Sequence, residues 1–163
     1  MALKLQILLN CVVVDTLFQC LHPSGYAYYG EFPLSFAACF GHESIYDYLL
    51  RNGADPNRQD SNGNTVLHMI VINNQCDMYS YAVRHQVQPA NTWIKNGRPG
   101  SKDGLTPLAL ASKLGRQQIF NEIMELHRIE LWRYSNIGCS LYPLHAVDSI
   151  GINGHTSMYQ YLR

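Results

Sequence analysis

Histidines and cysteines are the residues of this chain best suited to chemistry, because their side chains bind metals, carry protons or act as nucleophiles. The chain of 163 residues has seven histidines and five cysteines. None of them shows the HExxH, CxxC or paired Cys/His spacing of a zinc site, so nothing in the spacing supports a metal. An odd number of widely scattered cysteines is typical of reduced thiols in a cytosolic protein.

Other catalytic motifs are missing from the sequence. The stretch GRPGSK at residues 97–102 lacks the GxxxxGK[ST] spacing of a phosphate-binding loop, and no GxSxG motif occurs. Glu122 and Glu125 stand at helical spacing, which fits a solvated helix face. Lys plus Arg and Asp plus Glu number 12 each, which leaves a formal net charge of zero. Because nucleic-acid-binding proteins usually carry a basic excess, we expect no nucleic-acid partner. Because the catalytic motifs are missing, we also expect no enzyme and no cofactor.

The apolar residues of the chain are organised as a repeat. The stretches EFPLSFAACF, NTVLHMIVIN and LTPLALASKL align on Pro33, Val66 and Pro107. The first spacing is 66 − 33 = 33 residues, and the second is 107 − 66 = 41, or 33 with an insertion of 8. A period of about 33 with an opening like T-P-L-H is the signature of ankyrin repeats. We therefore expect an all-α repeat fold, an ankyrin-repeat solenoid of about three repeats, with a short C-terminal β linker.

Equivalent positions of the repeats carry residues with a common physical role. A glycine three residues before the register position fits a turn with positive φ, and a leucine after it begins the apolar helix face. Thr65 and Thr106 are suited to cap the helix that follows. At the histidine of the opening we expect an imidazole that bonds the backbone of neighbouring turns. These structural positions are Gly30, Gly63, Gly104, Leu34, Leu67, Leu108 and His68.

The second helix of the first repeat is predicted to bury an apolar face at helical spacing. That face consists of Ile45, Tyr46, Leu49 and Leu50.

Three regions follow from this pattern. The predicted boundaries are a divergent N-terminal segment at 1–22, three repeats within 23–127 (28–59, 60–85 and 103–126, with an inserted loop at 86–102) and a truncated post-ankyrin linker at 128–163. The apolar run near the N-terminus resembles a weak signal peptide, but Asn10 and Asp15 fit an amphipathic or buried helix better. The first repeat has no obvious polar cap before it, which is typical of a piece of a longer array.

The inserted loop, QVQPANTWIKNGRPGSK, is rich in turn-forming residues. Trp93 and Ile94 at its middle fit either an exposed contact or a tip folded back on the repeats. Lys95, Arg98 and Lys102 give it local positive charge, which fits either a solvated loop or a contact with an anion or a partner. After the last repeat, short extended pieces predict a hairpin or strand packed on the array.

The stretches YYGEFPLSFAAC, DSNGNTVLHMIVI and GLTPLALASKLGR together resemble the last three of the six ankyrin repeats of vanilloid-type transient receptor potential (TRP) channels. The tail LWRYSNIGCSLYPLHAVDSI resembles the linker that follows those repeats. Within that family, FGHESIYDYLLRNGADPN and MYSYAVRH are most similar to an insect auditory subunit. The resemblance covers residues 23–150, whereas residues 1–21 do not share it.

This resemblance implies the cytosolic part of a tetrameric, calcium-permeable cation channel, without the pore. In the family, a finger loop before the YYGE-like strand packs on the linker sheet of the adjacent subunit. The implied partners are neighbouring subunits of a homo- or hetero-tetramer, together with cytosolic regulatory proteins. The residues that match the inter-subunit contact are Tyr26, Tyr28, Tyr29, Trp132, Tyr134, Leu141 and Tyr142.

Two classes of function remain open. The first is an assembly and gating domain of a sensory calcium channel, on the cytosolic side of the plasma membrane. The second is a soluble cytosolic ankyrin adaptor that binds a protein through its concave face and the loop at 86–102. The linker motif favours the first class.

Overall fold

Three helix pairs and one β-hairpin make up the structure, a computed structural model in which residues 29–97 and 104–142 are described. The elements are α1 (Pro33–Cys39), α2 (Glu43–Arg51), α3 (Val66–Ile72), α4 (Cys76–Val83), α5 (Pro107–Lys113), α6 (Gln117–Leu126), β1 (Ile129–Tyr134) and β2 (Ile137–Leu141). The predicted helical repeat with a short β part is therefore observed.

The first helix of each pair begins where the sequence pattern places its register position. Pro33 and Pro107 open α1 and α5, where a proline loses no helical hydrogen bond. Thr106 caps α5, because its side-chain oxygen accepts a hydrogen bond from the Ala109 amide at 3.3 Å. Gly63, in the turn before α3, has φ +81°, and a Cβ there would lie 2.1 Å from the Gly97 carbonyl oxygen. Only glycine fits that position without displacing backbone.

The core runs along the stack of helix pairs. Helix α3 packs against both α1 and α5, and α4 packs against α6. Small side chains at Ala37, Ala38 and Ala111 are at most 2% exposed, so the helices of a pair approach closely. Each helix pair buries its apolar face against the neighbouring pairs, and full burial of one large apolar side chain contributes about 1.5–3 kcal/mol. Contacts between neighbouring pairs therefore stabilise each pair.

The predicted inward orientation of Ile45 is wrong. Tyr46, Leu49 and Leu50 are buried as expected, but Ile45 is 49% exposed. Met78 and Ile119, one repeat and two repeats further on, are fully buried because a helix pair precedes them in the stack. In the part of the chain that the structure describes, no helix precedes α2 on that side.

The hairpin forms a two-stranded antiparallel sheet in which Tyr134 pairs with Ile137 and Ile129 with Leu141. A register shift between Glu130 and Trp132 bends β1. The prediction that the hairpin packs on the array is wrong for β1, since every residue of that strand is exposed, whereas two residues of β2 are half-buried. No helix among residues 29–97 and 104–142 has the length and hydropathy needed to cross a membrane.

Candidate protein-interaction site

Exposed apolar side chains concentrate on the hairpin. Six large apolar side chains there form what we call the hairpin cluster: Ile129, Leu131, Trp132, Tyr134, Ile137 and Leu141. Each of the six is at least half exposed, and Tyr134 reaches 80%. A contiguous apolar patch in water is unfavourable by about 25 cal/mol per Å², and such patches usually mark a contact with another protein or a membrane.

The two charged side chains of the hairpin bond each other. Arg133 donates two hydrogen bonds to the carboxylate of Glu130, both at 3.0 Å. That hydrogen bond lowers the pKa of Glu130 and raises the pKa of Arg133. The Tyr142 hydroxyl donates to Glu125 of α6 at 3.0 Å, and this bond raises the pKa of Tyr142. The outer edges of a two-stranded sheet leave backbone groups free to pair with another strand.

Tyr29 lies at the opposite end of the stack from the hairpin. Its ring is 5.0 Å from the ring of Phe40 and 6.0 Å from that of Phe36, between ring centroids. These contacts place Tyr29 against α1, in the first helix pair. The structure therefore does not bring Tyr29 together with Trp132, Tyr134, Leu141 or Tyr142, and Tyr26 and Tyr28 lie outside the described residues.

Trp93 is partly folded back on the last helix pair. Its ring centroid is 5.2 Å from that of His127, and its side chain remains 45% exposed. The neighbouring Thr92 hydroxyl lies 3.0 Å from Nε2 of the same histidine. Lys95 is exposed, while its carbonyl oxygen accepts a hydrogen bond from Gln59. Arg98 and Lys102 lie outside the described residues, so the basic cluster of the loop stays a prediction.

His68 joins the second repeat to the third. It is fully buried, and its Nδ1 accepts a hydrogen bond from the Thr65 amide at 3.2 Å. Its Nε2 must then carry the proton, which it donates to the Leu105 carbonyl oxygen at 3.0 Å. Burial lowers the pKa of this imidazole, so the neutral form is favoured. Leu34, Leu67 and Leu108 are buried, and Gly30 has φ +87°.

The turn residue Gly104 lies close to the end of the inserted loop. A Cβ at this position would lie 3.1 Å from the Asn96 carbonyl oxygen.

A groove of about 510 Å³ separates the outer helices α2 and α4. Its wall carries a hydrogen-bonded cluster in which Oδ1 of Asp47 accepts from the Tyr81 hydroxyl at 2.6 Å and lies 3.2 Å from Nε2 of His85. The bond to Asp47 raises the pKa of Tyr81 to about 12. Asp47 and His85 are 38 residues apart and belong to no motif, so no signal in the sequence predicts this cluster.

Metal-ligand geometry and the burial of Cys39 describe the thiols and carboxylates of residues 29–97 and 104–142. No group of three or more histidine, cysteine, aspartate or glutamate side chains there could hold a metal. Desolvation raises the pKa of Cys39 to about 12, which keeps its thiol protonated and unreactive near neutral pH.

Repeated helix pairs with glycine turns, capped first helices and a histidine that bridges repeats define the class of ankyrin-repeat proteins. The sequence profile of that family, ankyrin repeats in three copies, matches residues 34–134. The chain belongs to the ankyrin-repeat family.

The relatives of this chain show which ankyrin-repeat proteins it is similar to. Over 134 residues the chain is 37% identical to rat transient receptor potential cation channel subfamily V member 6, covering 79% of this chain and 17% of the relative. It is 38% identical over 129 residues to mouse subfamily V member 5, covering 76% of the chain and 17% of the relative. Mouse subfamily V member 4 is 32% identical over 162 residues, covering 82% and 18%. These ankyrin repeats are thus related to a region of vanilloid-type TRP channels, and the chain spans less than a fifth of the length of these relatives.

Proposed function

We propose that this chain is the cytosolic ankyrin-repeat part of a calcium-permeable, vanilloid-type TRP channel subunit, where it serves subunit assembly and the regulation of gating. The observation that carries the proposal is the hairpin cluster, six apolar side chains that are all at least half exposed. A free-standing protein gains nothing from such exposure, whereas an assembly buries it. The similarity to channels of subfamily V supports the same assignment.

The two candidate contact regions have the arrangement that a ring of subunits needs. A closed ring uses heterologous contacts, in which one patch of a subunit meets a different patch of the next. Tyr29 lies on the first helix pair and the hairpin follows the last, so the two regions are at opposite ends of the repeat stack. In the proposed assembly, residues near Tyr29 contact the hairpin cluster of the adjacent subunit in a homo- or hetero-tetramer. Cytosolic regulatory proteins are the further partners.

The finer assignment rests on sequence resemblance. FGHESIYDYLLRNGADPN and MYSYAVRH resemble the insect auditory channel subunit Nanchung, and we propose a mechanosensory channel on that basis. The repeat boundaries at 28–59, 60–85 and 103–126, and the linker from residue 128, belong to the same proposal. The chain would then lie on the cytosolic side of the plasma membrane.

The test is the double substitution Trp132→Ala and Tyr142→Ala in the full-length subunit. Truncation of a central aromatic residue of an interface typically costs about 2 kcal/mol or more, which is about 30-fold in an equilibrium constant. We expect the tetramer fraction in cross-linking or native electrophoresis to fall, together with the channel current. Leu114→Ala, an apolar residue of 45% exposure outside the hairpin, is the matched control. Unchanged tetramer yield and current in the double variant would contradict the proposal.

A soluble ankyrin adaptor is the second candidate, and the half-exposed Trp93 is the observation that favours it. If the chain is an adaptor, Trp132→Ala and Tyr142→Ala should have no effect on its assembly with full-length subunits. Co-immunoprecipitation of the chain with the full subunit separates the two candidates, because only the assembly domain requires Trp132 for capture.

A further inference from the structure

His85 bonds two parts of the chain through its two ring nitrogens. Its Nδ1 accepts a hydrogen bond from the backbone N–H of Gln88 at 3.1 Å, and its Nε2 lies 3.2 Å from Oδ1 of Asp47. A backbone N–H can only donate, so Nδ1 holds a lone pair and Nε2 carries the proton. The imidazole is therefore neutral in this arrangement, and it links helix α2 to the start of the segment at 86–97.

We propose that His85 is a proton-operated latch for the start of this segment. Protonation adds a second N–H to the ring, at Nδ1, and this N–H points at the N–H of Gln88. Two donors cannot share a hydrogen bond, so the Gln88 amide must move away. Histidine is the side chain whose charge changes most readily between about pH 5 and 8, and the His85 side chain is 13% exposed, so protons reach it.

The charged groups around His85 hold the protonated ring in place. Asp47, its direct partner on α2, becomes the anion of an ion pair with the imidazolium. Glu43 and Arg51 on α2, and Asp77 and Arg84 at α4, line the same groove and give both signs of charge around the ring. Tyr81 also faces His85: its hydroxyl donates to the same Oδ1 of Asp47, and its ring and that of Tyr46 lie 6.1 and 6.3 Å from the His85 ring. The remaining lining residues are uncharged. Protonation therefore keeps the ring on Asp47 and releases only the amide of Gln88.

Two other histidines respond differently: His127, which bonds the inserted segment, and His68, which bonds Leu105 just after it. At His127, Nδ1 bonds the Ile123 carbonyl oxygen and Nε2 bonds the hydroxyl of Thr92. A hydroxyl both donates and accepts, so that contact survives protonation by reversing its direction. His68 is fully buried, and burial opposes its protonation. Of these three histidines, His85 alone combines access to solvent with a partner that can only donate.

Release of Gln88 acts locally. The Ala90 amide remains bonded to the Ala82 carbonyl oxygen at 3.1 Å, so the segment stays anchored two residues further on. Gln86 and Val87 lie between His85 and Gln88, and both line the groove between α2 and α4. Acidification therefore loosens one wall of this groove without unfolding the repeats.

Nitrogen-15 NMR of the full chain between about pH 5.5 and 8 tests the latch. The ring nitrogen shifts of His85 report its protonation, and amide exchange of Gln88 is compared with that of Ala90 after correction for intrinsic rates. A hydrogen bond contributes a net free energy of about 0.5–1.5 kcal/mol. The protection of the Gln88 amide from exchange, relative to that of Ala90, should therefore fall about 2- to 10-fold as His85 becomes protonated.

Two variants make the outcome specific. His85→Gln places an amide oxygen near Gln88 and an amide nitrogen near Asp47 but does not titrate, so the pH response of Gln88 should vanish. His127→Gln should leave that response intact. The latch is refuted if Gln88 and Ala90 respond alike, if the response persists in His85→Gln, or if His85 stays neutral at the acid end of the range.

Discussion

Replacement of His68 should separate its two structural roles. The imidazole accepts a hydrogen bond from the Thr65 amide at the start of α3 and donates one to the Leu105 carbonyl oxygen before α5. His68→Ala removes both bonds and leaves a space in a fully buried position. Glutamine three residues after an N-cap accepts from the N-cap amide in a capping box, so His68→Gln preserves the first bond and loses the second.

The contacts set the expected magnitudes. A buried polar group without a partner costs about 1–3 kcal/mol, and the cavity adds to this, so His68→Ala should lower the free energy of unfolding by about 4 kcal/mol. His68→Gln loses only the bond between repeats and should cost about 1.5 kcal/mol. For a chain of this size, 1 kcal/mol lowers Tm by about 2–4 °C, so the alanine variant should melt about 8–16 °C lower.

Urea unfolding followed by circular dichroism measures both values. His42→Ala is the control, because His42 is exposed and forms no side-chain cap of α2, and surface changes usually stay within about 0.5 kcal/mol. Equal losses for the alanine and glutamine variants would refute the separation of cap and bridge. A loss below about 1 kcal/mol for His68→Ala would refute the claim that this histidine joins the repeats.

Two other predictions concern pH and backbone geometry. Burial lowers the pKa of His68, so below the ordinary histidine value of about 6.5 the unfolded chain binds more protons than the folded chain. The free energy of unfolding should therefore fall as pH is lowered from about 7 to 5, with a smaller slope in His68→Gln, and an equal slope would contradict this. Gly63→Ala should cost about 3 kcal/mol, because φ is +81° and the new Cβ would lie 2.1 Å from the Gly97 carbonyl oxygen. Gly115→Ala, at φ +65° with nothing within 4 Å of the new Cβ, should cost only about 1 kcal/mol, and equal losses in urea titrations would count against the steric argument.

Local sequence signals were sufficient to predict the helices but not the side-chain contacts between them. Pro33 and Pro107, two of the aligned positions, begin helices, because proline at the first helical position is a local preference that repeats with the period. Ile45 occupies the repeat position equivalent to that of the buried Met78, yet Ile45 is exposed. Burial at this position depends on a neighbouring helix pair, which the local pattern does not describe. The contact of Asp47 with His85 likewise arises from the stacking of α2 beside α4. Such a contact follows from the fold and not from a motif.

The eight extra residues between the second and third repeats do not disturb the stack, because the inserted segment is bonded at both ends. Ala90 is 5% exposed and bonded to Ala82, so the segment enters along the core. At its exit the Asn96 amide donates to the Leu105 carbonyl oxygen at 2.7 Å, and the Leu105 amide donates to the Asn96 side chain at 2.9 Å. These bonds set Leu105 where His68 can reach it, so α5 packs on α3 as α3 packs on α1. The bond from Gln88 to His85 lies two residues before the first of these anchors, so its loss on protonation leaves the bonds of Ala90 and Asn96, and with them the stack, in place.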